Sequence, residues 1–215
     1  MNKMPDTPQL AGAADSGSDA PPCSLSSFAC VVADPPWNLK MGRARTENDK
    51  SESRGGGWAG YEGINALQYP TMTVGEIAAL QIPAADDAHL YIWTINKYIR
   101  ETYDIARAWG FKPSTMLYWV KAPMGIGLGG AFVPCVEPIL FCRRGNLPAK
   151  MRLDRNWWRW KRSRHSAKPE DFQTIVEQVS PGPYLEMFAR RKRPGWAAWG
   201  NEITSDVEIK SSENV

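Results

Sequence analysis

The sequence predicts an α/β domain with a mostly parallel sheet that carries helices on both faces. Six short, continuous apolar runs are typical of strands that are buried on both sides. Between these runs, apolar residues recur at the spacing of amphipathic helices. Strands that alternate with helices favour a parallel sheet, and such sheets bind ligands beyond the carboxyl ends of their strands.

The first predicted strand covers residues 28–33 and stops at the tetrapeptide Asp34-Pro35-Pro36-Trp37. A glycine- and charge-rich stretch, 40–63, is long enough to be a functional loop. Thr73 is expected to cap a short helix. The apolar positions of this helix are Val74, Ile77 and Leu80.

The remaining elements follow the same alternation of strand and helix. Strands are predicted at 90–93, 116–120, 139–142, 184–188 and 196–199. One helix has its apolar positions at Ile99, Tyr103, Ala106 and Trp109, with Gly110 as its C-cap. A second helix has Pro169 in its first turn and a buried stripe formed by Phe172, Ile175, Val176 and Val179.

Composition bounds the class of protein. At 43% hydrophobic residues, the 215-residue chain can bury a core, and we expect one domain over 25–202. A flexible tail is predicted at 1–24 and a polar C-terminal tail at 203–215. Four cysteines without a CxxC pair, and two histidines, argue against a metal site. We expect a cytoplasmic protein without a membrane span, either monomer or homodimer.

Positive charge is concentrated in the segment 143–168, which holds ten lysines and arginines against one acid. This asymmetry indicates a face for a polyanion. Tryptophans at 157, 158 and 160 interrupt the charges, and indoles stack on unpaired bases. We therefore predict nucleic-acid contacts from Arg159, Lys161 and Arg162. The alternative is a solvated edge strand whose Trp158 and Trp160 face the core.

The tetrapeptide Asp34-Pro35-Pro36-Trp37 is the most informative motif. Its prolines fix their φ angles and remove two backbone donors, which predicts a rigid turn with carbonyls that no local N–H claims. An exocyclic amine donates two hydrogens beside a ring that can stack, and the turn offers acceptors and an indole. The alternative is a strand-ending turn with a core tryptophan.

This motif belongs to a longer set that resembles the adenine-N6 methyltransferase family named for the seventy-kilodalton subunit of messenger-RNA adenosine methyltransferase, the MT-A70 family. The resemblance implies a Rossmann-like methyltransferase domain with permuted motif order, which uses S-adenosylmethionine to methylate adenine in a nucleic acid. The matching motifs are Asp34-Pro35-Pro36-Trp37, Leu90-Tyr91-Ile92-Trp93, Trp109-Gly110-Phe111, Trp119-Val120-Lys121, Arg144-Gly145, Ser166-Ala167-Lys168-Pro169, Tyr184-Leu185-Glu186-Met187-Phe188-Ala189-Arg190, Gly195-Trp196 and Gly200-Asn201-Glu202.

The family's roles transfer to these positions one by one. Asp34, Pro35 and Pro36 match the catalytic turn that binds the target amine, and Trp37 matches the residue that stacks on the base. The resemblance implies a cofactor site formed by Asp34, Arg144, Arg190, Asn201 and Glu202. Two departures stand out: Val136-Glu137-Pro138 replaces an expected His-Glu pair, and no acid upstream of Asp34 matches a further cofactor-side position.

Two other functions are weighed against this one. The segment 125–130 fits the GxGxxG pattern of dinucleotide-binding proteins, but prolines follow it and the region near residue 150 is basic, so no acid sits where that fold needs one. A non-catalytic nucleic-acid-binding subunit of the same fold is the main alternative. We expect DNA rather than RNA as the substrate because the chain is short and carries no appended RNA-binding module.

Overall fold

A computed structural model describes residues 27–38, 70–122, 132, 134–161 and 168–212. The predicted tail 1–24, the loop 40–63 and the glycine-rich segment 125–130 lie outside these residues. The described elements are β1 (Phe28–Ala33), α1 (Val74–Ala78), β2 (Ala84–Trp93), α2 (Ile99–Ala108), β3 (Lys112–Ala122), β4 (Val136–Arg144), β5 (Trp157–Lys161), α3 (Glu170–Val179), β6 (Tyr184–Met187) and β7 (Trp196–Trp199).

The strands form one sheet in the order β5-β3-β4-β2-β1-β6-β7. Strand β4 runs antiparallel to β2 and β3, whereas the other four neighbouring pairs are parallel. Each face carries an apolar cluster, one with Ile77 and Ile105 from α1 and α2, the other with Phe172 and Val176 from α3. The prediction of a mostly parallel sheet with helices on both faces is confirmed.

The start of α1 and the end of α2 are as their residues predict, but α1 ends at Ala78, so Leu80 lies outside the helix to which it was assigned. Thr73 caps α1 in a capping box with Glu76, because each side chain satisfies a backbone N–H of the other residue. Gly110, directly after the last turn of α2, has a φ of +77°, which glycine adopts without the steric cost of a Cβ. Both caps fix where the chain enters and leaves the face that these helices cover.

Helix α3 differs from its predicted packing. Phe172 and Val176 are buried as expected, but Ile175 and Val179 are only half-buried, and Gln173 is buried instead. The amide of Gln173 donates to the Glu186 carboxylate at 2.5 Å, so the buried side of this helix includes a polar contact to β6. Pro169 is the N-cap of α3 rather than a residue of its first turn.

The C-terminal segment is not a free tail over the residues that the structure describes. Val207 and Ile209 pack against the apolar cluster under α1. The backbone N–H of Gln81 donates to the Lys210 carbonyl at 2.8 Å, and that of Ser212 to Ala79 at 2.7 Å. The predicted polar tail at 203–215 therefore contacts the domain as far as residue 212, and the domain boundary at 202 stays a prediction. The segment is polar on average, but its two alternating apolar residues, Val207 and Ile209, anchor it to the domain.

No helix in the described ranges is both long and apolar enough to cross a bilayer.

Candidate active site

A cavity of about 430 Å³ opens at the carboxyl edge of the parallel strands. The predicted residues that line it are Asp34, Pro35, Pro36, Trp37, Arg190, Asn201 and Glu202. Lys168 and Glu137 also line it, and the sequence assigned no role to either. The edge therefore brings these residues together from five separate parts of the chain, from positions 34 to 202.

Two backbone features bring these segments to the same edge. Phe188, directly after β6, adopts a positive φ of 62°, so the chain turns sharply before Arg190. Gly200, directly after β7, lies so close to Ala189 that a Cβ there would collide with the Ala189 carbonyl. Only glycine permits this approach, which puts Asn201 and Glu202 in the same cavity wall as Arg190.

The backbone of the Asp-Pro-Pro-Trp turn corrects one expectation. The N–H of Trp37 donates to the Pro35 carbonyl at 2.8 Å, and the N–H of Met72 donates to the Pro36 carbonyl at 3.0 Å. The prediction that no local N–H claims these carbonyls is therefore wrong for Pro35, while the Pro36 carbonyl accepts from a residue 36 positions away. A carbonyl keeps a second lone pair, but the Asp34 carboxylate is the stronger acceptor that the turn presents to the cavity.

Trp37 forms part of the cavity wall but is only 5% exposed. Its indole N–H donates to the Trp93 carbonyl at 3.1 Å, and its ring stacks on Tyr98 with centroids 5.1 Å apart. One face of the indole is therefore already covered. Trp37 is therefore packed like a core tryptophan, which was the alternative interpretation. Base stacking by Trp37 stays a prediction.

Four charged side chains alternate in sign beside the cavity. The Lys168 ammonium lies 2.7 Å from Asp34 Oδ2 and 3.7 Å from Glu137 Oε2. Lys121 is paired with the other oxygen of Glu137 at 2.6 Å. Burial alone would lower the pKa of Lys168, but the carboxylates of Asp34 and Glu137 outweigh it and raise that pKa above its ordinary value. Lys168 therefore remains charged and holds Asp34 in place.

Sequence reasoning missed Lys168 and Glu137 for different reasons. Lys168 stood in a matching motif, directly before the proline that caps α3, but nothing in the sequence indicated that it meets Asp34, 134 positions away. Glu137 stood within a departure from the family pattern. Glu137 reaches the cavity because β4 runs antiparallel and begins at the edge where β1 ends, which the sequence did not indicate.

One wall of the cavity carries Arg190, Asn201 and Glu202, three of the residues expected to bind the cofactor. Arg190 Nε lies 3.5 Å from Glu202 Oε1, and both side chains are substantially exposed. The wall therefore offers a cation, an amide and a carboxylate to a ligand with both charged and hydroxyl groups.

Arg144 is not brought into this cavity. It lies at the end of antiparallel β4, opposite Ala88, and so at the amino edge of the neighbouring parallel strand. Its guanidinium donates to the carbonyls of Trp109 and Ala84 and stacks over the Phe111 ring. The structure therefore does not bring Arg144 to the cavity that holds the other expected cofactor residues, because the strand that carries it runs the other way.

Glu186 lies behind Asp34, in a smaller cavity of about 130 Å³ that shares Asp34 and Lys168 with the first. Burial, and then the charge of Asp34, raise the pKa of Glu186 from 4.5 to about 7. The folded protein consequently binds a proton that the unfolded chain has already lost between these two pH values. Stability is therefore expected to fall as pH rises from about 4.5 to about 7.

We predict that Glu186→Gln removes this decline. The variant should match the wild type near pH 5 and exceed its free energy of unfolding by about 2 kcal/mol at pH 8. Urea denaturation across this pH range measures the difference, with Glu208→Gln as a control that removes an exposed glutamate. Parallel pH profiles for wild type and Glu186→Gln would contradict the raised pKa.

Two of the residues expected to contact nucleic acid, Arg159 and Lys161, lie on the edge strand β5. Arg159 and Lys161 are exposed there, while Trp158 and Trp160 point to the other face and are half-buried. The segment thus forms an edge strand, as the alternative interpretation required. The exposure of Arg159 and Lys161 is compatible both with contacts to nucleic acid and with a strand that faces only solvent. Arg162 lies outside the described residues.

The sheet order, the two covered faces and the cavity at the carboxyl edge agree with a Rossmann-like methyltransferase fold. The family model described as MT-A70 matches residues 28–202, and the chain therefore belongs to the MT-A70 family.

The chain is also similar to named methyltransferases. It is 27% identical to the type II methyltransferase M.MunI of Mycoplasma sp. over 204 residues, which cover 91% of this chain and 86% of that protein. It is 28% identical to the N(6)-adenosine-methyltransferase MT-A70-like protein of Drosophila melanogaster, over 83% of this chain and 27% of that one. It is 26% identical to the N(6)-adenosine-methyltransferase catalytic subunit METTL3 of Homo sapiens, over 83% of this chain and 29% of that one. The chain thus spans less than a third of the length of these two relatives, whose names specify adenosine.

Proposed function

We propose that this protein transfers a methyl group from S-adenosylmethionine to the N6 amine of adenine in DNA. The observation that carries the proposal is the Asp34 carboxylate, which the Lys168 ammonium holds at 2.7 Å in a cavity large enough for a cofactor and a base edge. Membership of the MT-A70 family supports the reaction class.

The residues of the cavity fit the chemistry of the proposed cofactor. Arg190 can pair with its carboxylate, Glu202 and Asp34 can accept from its hydroxyls and its ammonium group, and Asn201 can both donate and accept. The cavity volume of about 430 Å³ is within the range of small-molecule sites. When bound, S-adenosylmethionine supplies a methyl group activated by a positively charged sulfur.

Asp34 can compensate for the weak nucleophilicity of the adenine amine. The exocyclic amine of adenine is a poor nucleophile because its lone pair is delocalised into the ring. Asp34 Oδ2 accepts from Lys168, and Oδ1 has lone pairs left for an N–H of the amine. As positive charge develops on the nitrogen, the carboxylate stabilises it more strongly than it stabilises the ground state. Lys168 is a positioning residue in this arrangement.

A base inside a duplex cannot reach a cavity at the edge of a sheet, so the target adenine must be unpaired or flipped out. Arg159 and Lys161 on β5 are the proposed phosphate contacts for the strand that carries it. We propose DNA rather than RNA because most of the chain matches most of the type II methyltransferase M.MunI, which is not named for the ribonucleoside adenosine.

Labelled methyl transfer tests the proposal directly. Purified protein is incubated with S-adenosylmethionine carrying a labelled methyl group and with DNA or RNA of matched sequence, and the products are digested to nucleosides. We expect N6-methyladenine in DNA. Transfer to cytosine would contradict the adenine assignment, and transfer to RNA alone would contradict the choice of DNA. Nucleic-acid binding without any transfer would favour the non-catalytic subunit.

A further inference from the structure

The edge strand β5 divides its tryptophans between two faces of the sheet. Trp158 and Trp160 are half-buried on one face, where their rings stack on each other with centroids 5.6 Å apart and planes within 3°. Trp157 is on the opposite face and is 51% exposed. Arg159 and Lys161 alternate with the buried positions and therefore share the face of Trp157.

Neighbouring strands extend this exposed face. Tyr118 of β3 is the register partner of Trp157, so the two side chains project from the same face of adjacent strands, which lie about 4.8 Å apart. Tyr118 is 36% exposed, and Val136 of β4, one strand further, is 39% exposed. We call this surface the aromatic–basic face and define it by Tyr118, Val136, Trp157, Arg159 and Lys161.

We infer that the aromatic–basic face binds single-stranded DNA, with bases stacked on Trp157 and Tyr118 and phosphates on Arg159 and Lys161. Aromatic side chains on an exposed sheet accept any base because every base has a π face, whereas a duplex keeps those faces stacked inside the helix. Positive side chains neutralise the backbone and release its counterions. A protein partner fits less well because the centres of protein interfaces are depleted of charged residues.

The position of this face fits the route of a strand that delivers its adenine to the cavity. Strand β5 is four strands from β1, which separates the two by about 19 Å across the sheet. Residues 157, 159 and 161 lead toward the carboxyl edge, the edge at which Asp34 lies. The face would thus hold nucleotides that flank the target base. This inference rests on the proposed function and adds the path that the DNA strand takes across the protein.

Fluorescence anisotropy tests the stacking contacts. The probe is a labelled single-stranded DNA of about 12 nucleotides, and a second probe is the same sugar–phosphate chain without bases. Trp157→Leu and Tyr118→Leu should each weaken binding of the first probe about 5- to 100-fold and leave the second unchanged. Leucine keeps an apolar side chain at an exposed position, so melting temperatures should stay at the wild-type value. Met151→Ala, which removes an exposed apolar side chain outside this face, is the matched control.

A salt titration tests the phosphate contacts. Arg159→Gln combined with Lys161→Gln should reduce the slope of log K against log salt by about 1.4, since each single-strand contact contributes about 0.7. Arg107→Gln combined with Lys112→Gln removes the same charge from exposed positions elsewhere and should leave the slope unchanged.

Three outcomes would overturn the inference: equal binding by wild type and Trp157→Leu, equal losses on both probes, or tighter binding of matched RNA or duplex than of single-stranded DNA. Each is read from binding alone. Failure of methyl transfer with normal, Trp157-dependent DNA binding would instead contradict the proposed function and leave the face intact.

Discussion

Replacing Asp34 with asparagine is expected to reduce methyl transfer at least about 100-fold while the protein remains folded. Asparagine keeps the shape of the side chain but removes the negative charge, and loss of one preorganised electrostatic contact in an active site costs about 10²- to 10³-fold in rate. Lys168 retains Glu137 as a partner at 3.7 Å, so its ammonium is not left without an opposite charge. Initial rates with saturating cofactor and DNA measure the effect.

The control for this change is Asp104→Asn, which removes an acid from the exposed ion pair with Arg107 on α2. It should leave the rate unchanged, because surface pairs contribute little and this one is remote from the cavity. Near-wild-type transfer by Asp34→Asn, with an unchanged melting temperature, would remove Asp34 from the chemistry. A large drop in melting temperature would show that the ion pair with Lys168 is mainly structural, and Lys168→Met should then unfold as easily.

Arg190→Ala and Asn201→Ala are expected to weaken cofactor binding more than they slow turnover. Loss of a charged hydrogen bond at Arg190 should raise the cofactor Kd about 10- to 100-fold, and loss of the neutral amide at Asn201 about 5-fold. Once the cofactor is saturating, turnover should remain within a few-fold of wild type, because neither side chain is assigned to the reacting nitrogen. Calorimetry gives Kd, and steady-state kinetics give KM and kcat separately.

Lys192→Ala is the matched control, since Lys192 is a cation two positions along the same turn and pairs with Asp206 outside the cavity. It should bind the cofactor normally. Wild-type affinity in both Arg190→Ala and Asn201→Ala would contradict a cofactor site on this wall. Normal affinity with a collapsed kcat would instead assign these residues to the DNA side of the cavity.

Local sequence patterns were sufficient for most of the fold. Continuous apolar runs such as 28–33 and 196–199 become strands at the predicted positions, and Thr73 and Gly110 cap their helices as expected. Strand burial and helix capping depend on a few consecutive residues, so they can be read from the chain directly. The motif Asp34-Pro35-Pro36-Trp37 was likewise identified from the sequence, as was its place at the end of a buried strand.

Only the tertiary structure decided which charges meet. Lys168 contacts Asp34 because α3 begins at the carboxyl edge beside β1, and Glu137 joins them because β4 starts at that edge by running antiparallel. The same reversal takes Arg144 to the far edge, away from the cavity that its motif predicted. A motif gives residue types in order along the chain, whereas the direction of a strand decides at which edge of the sheet those residues lie.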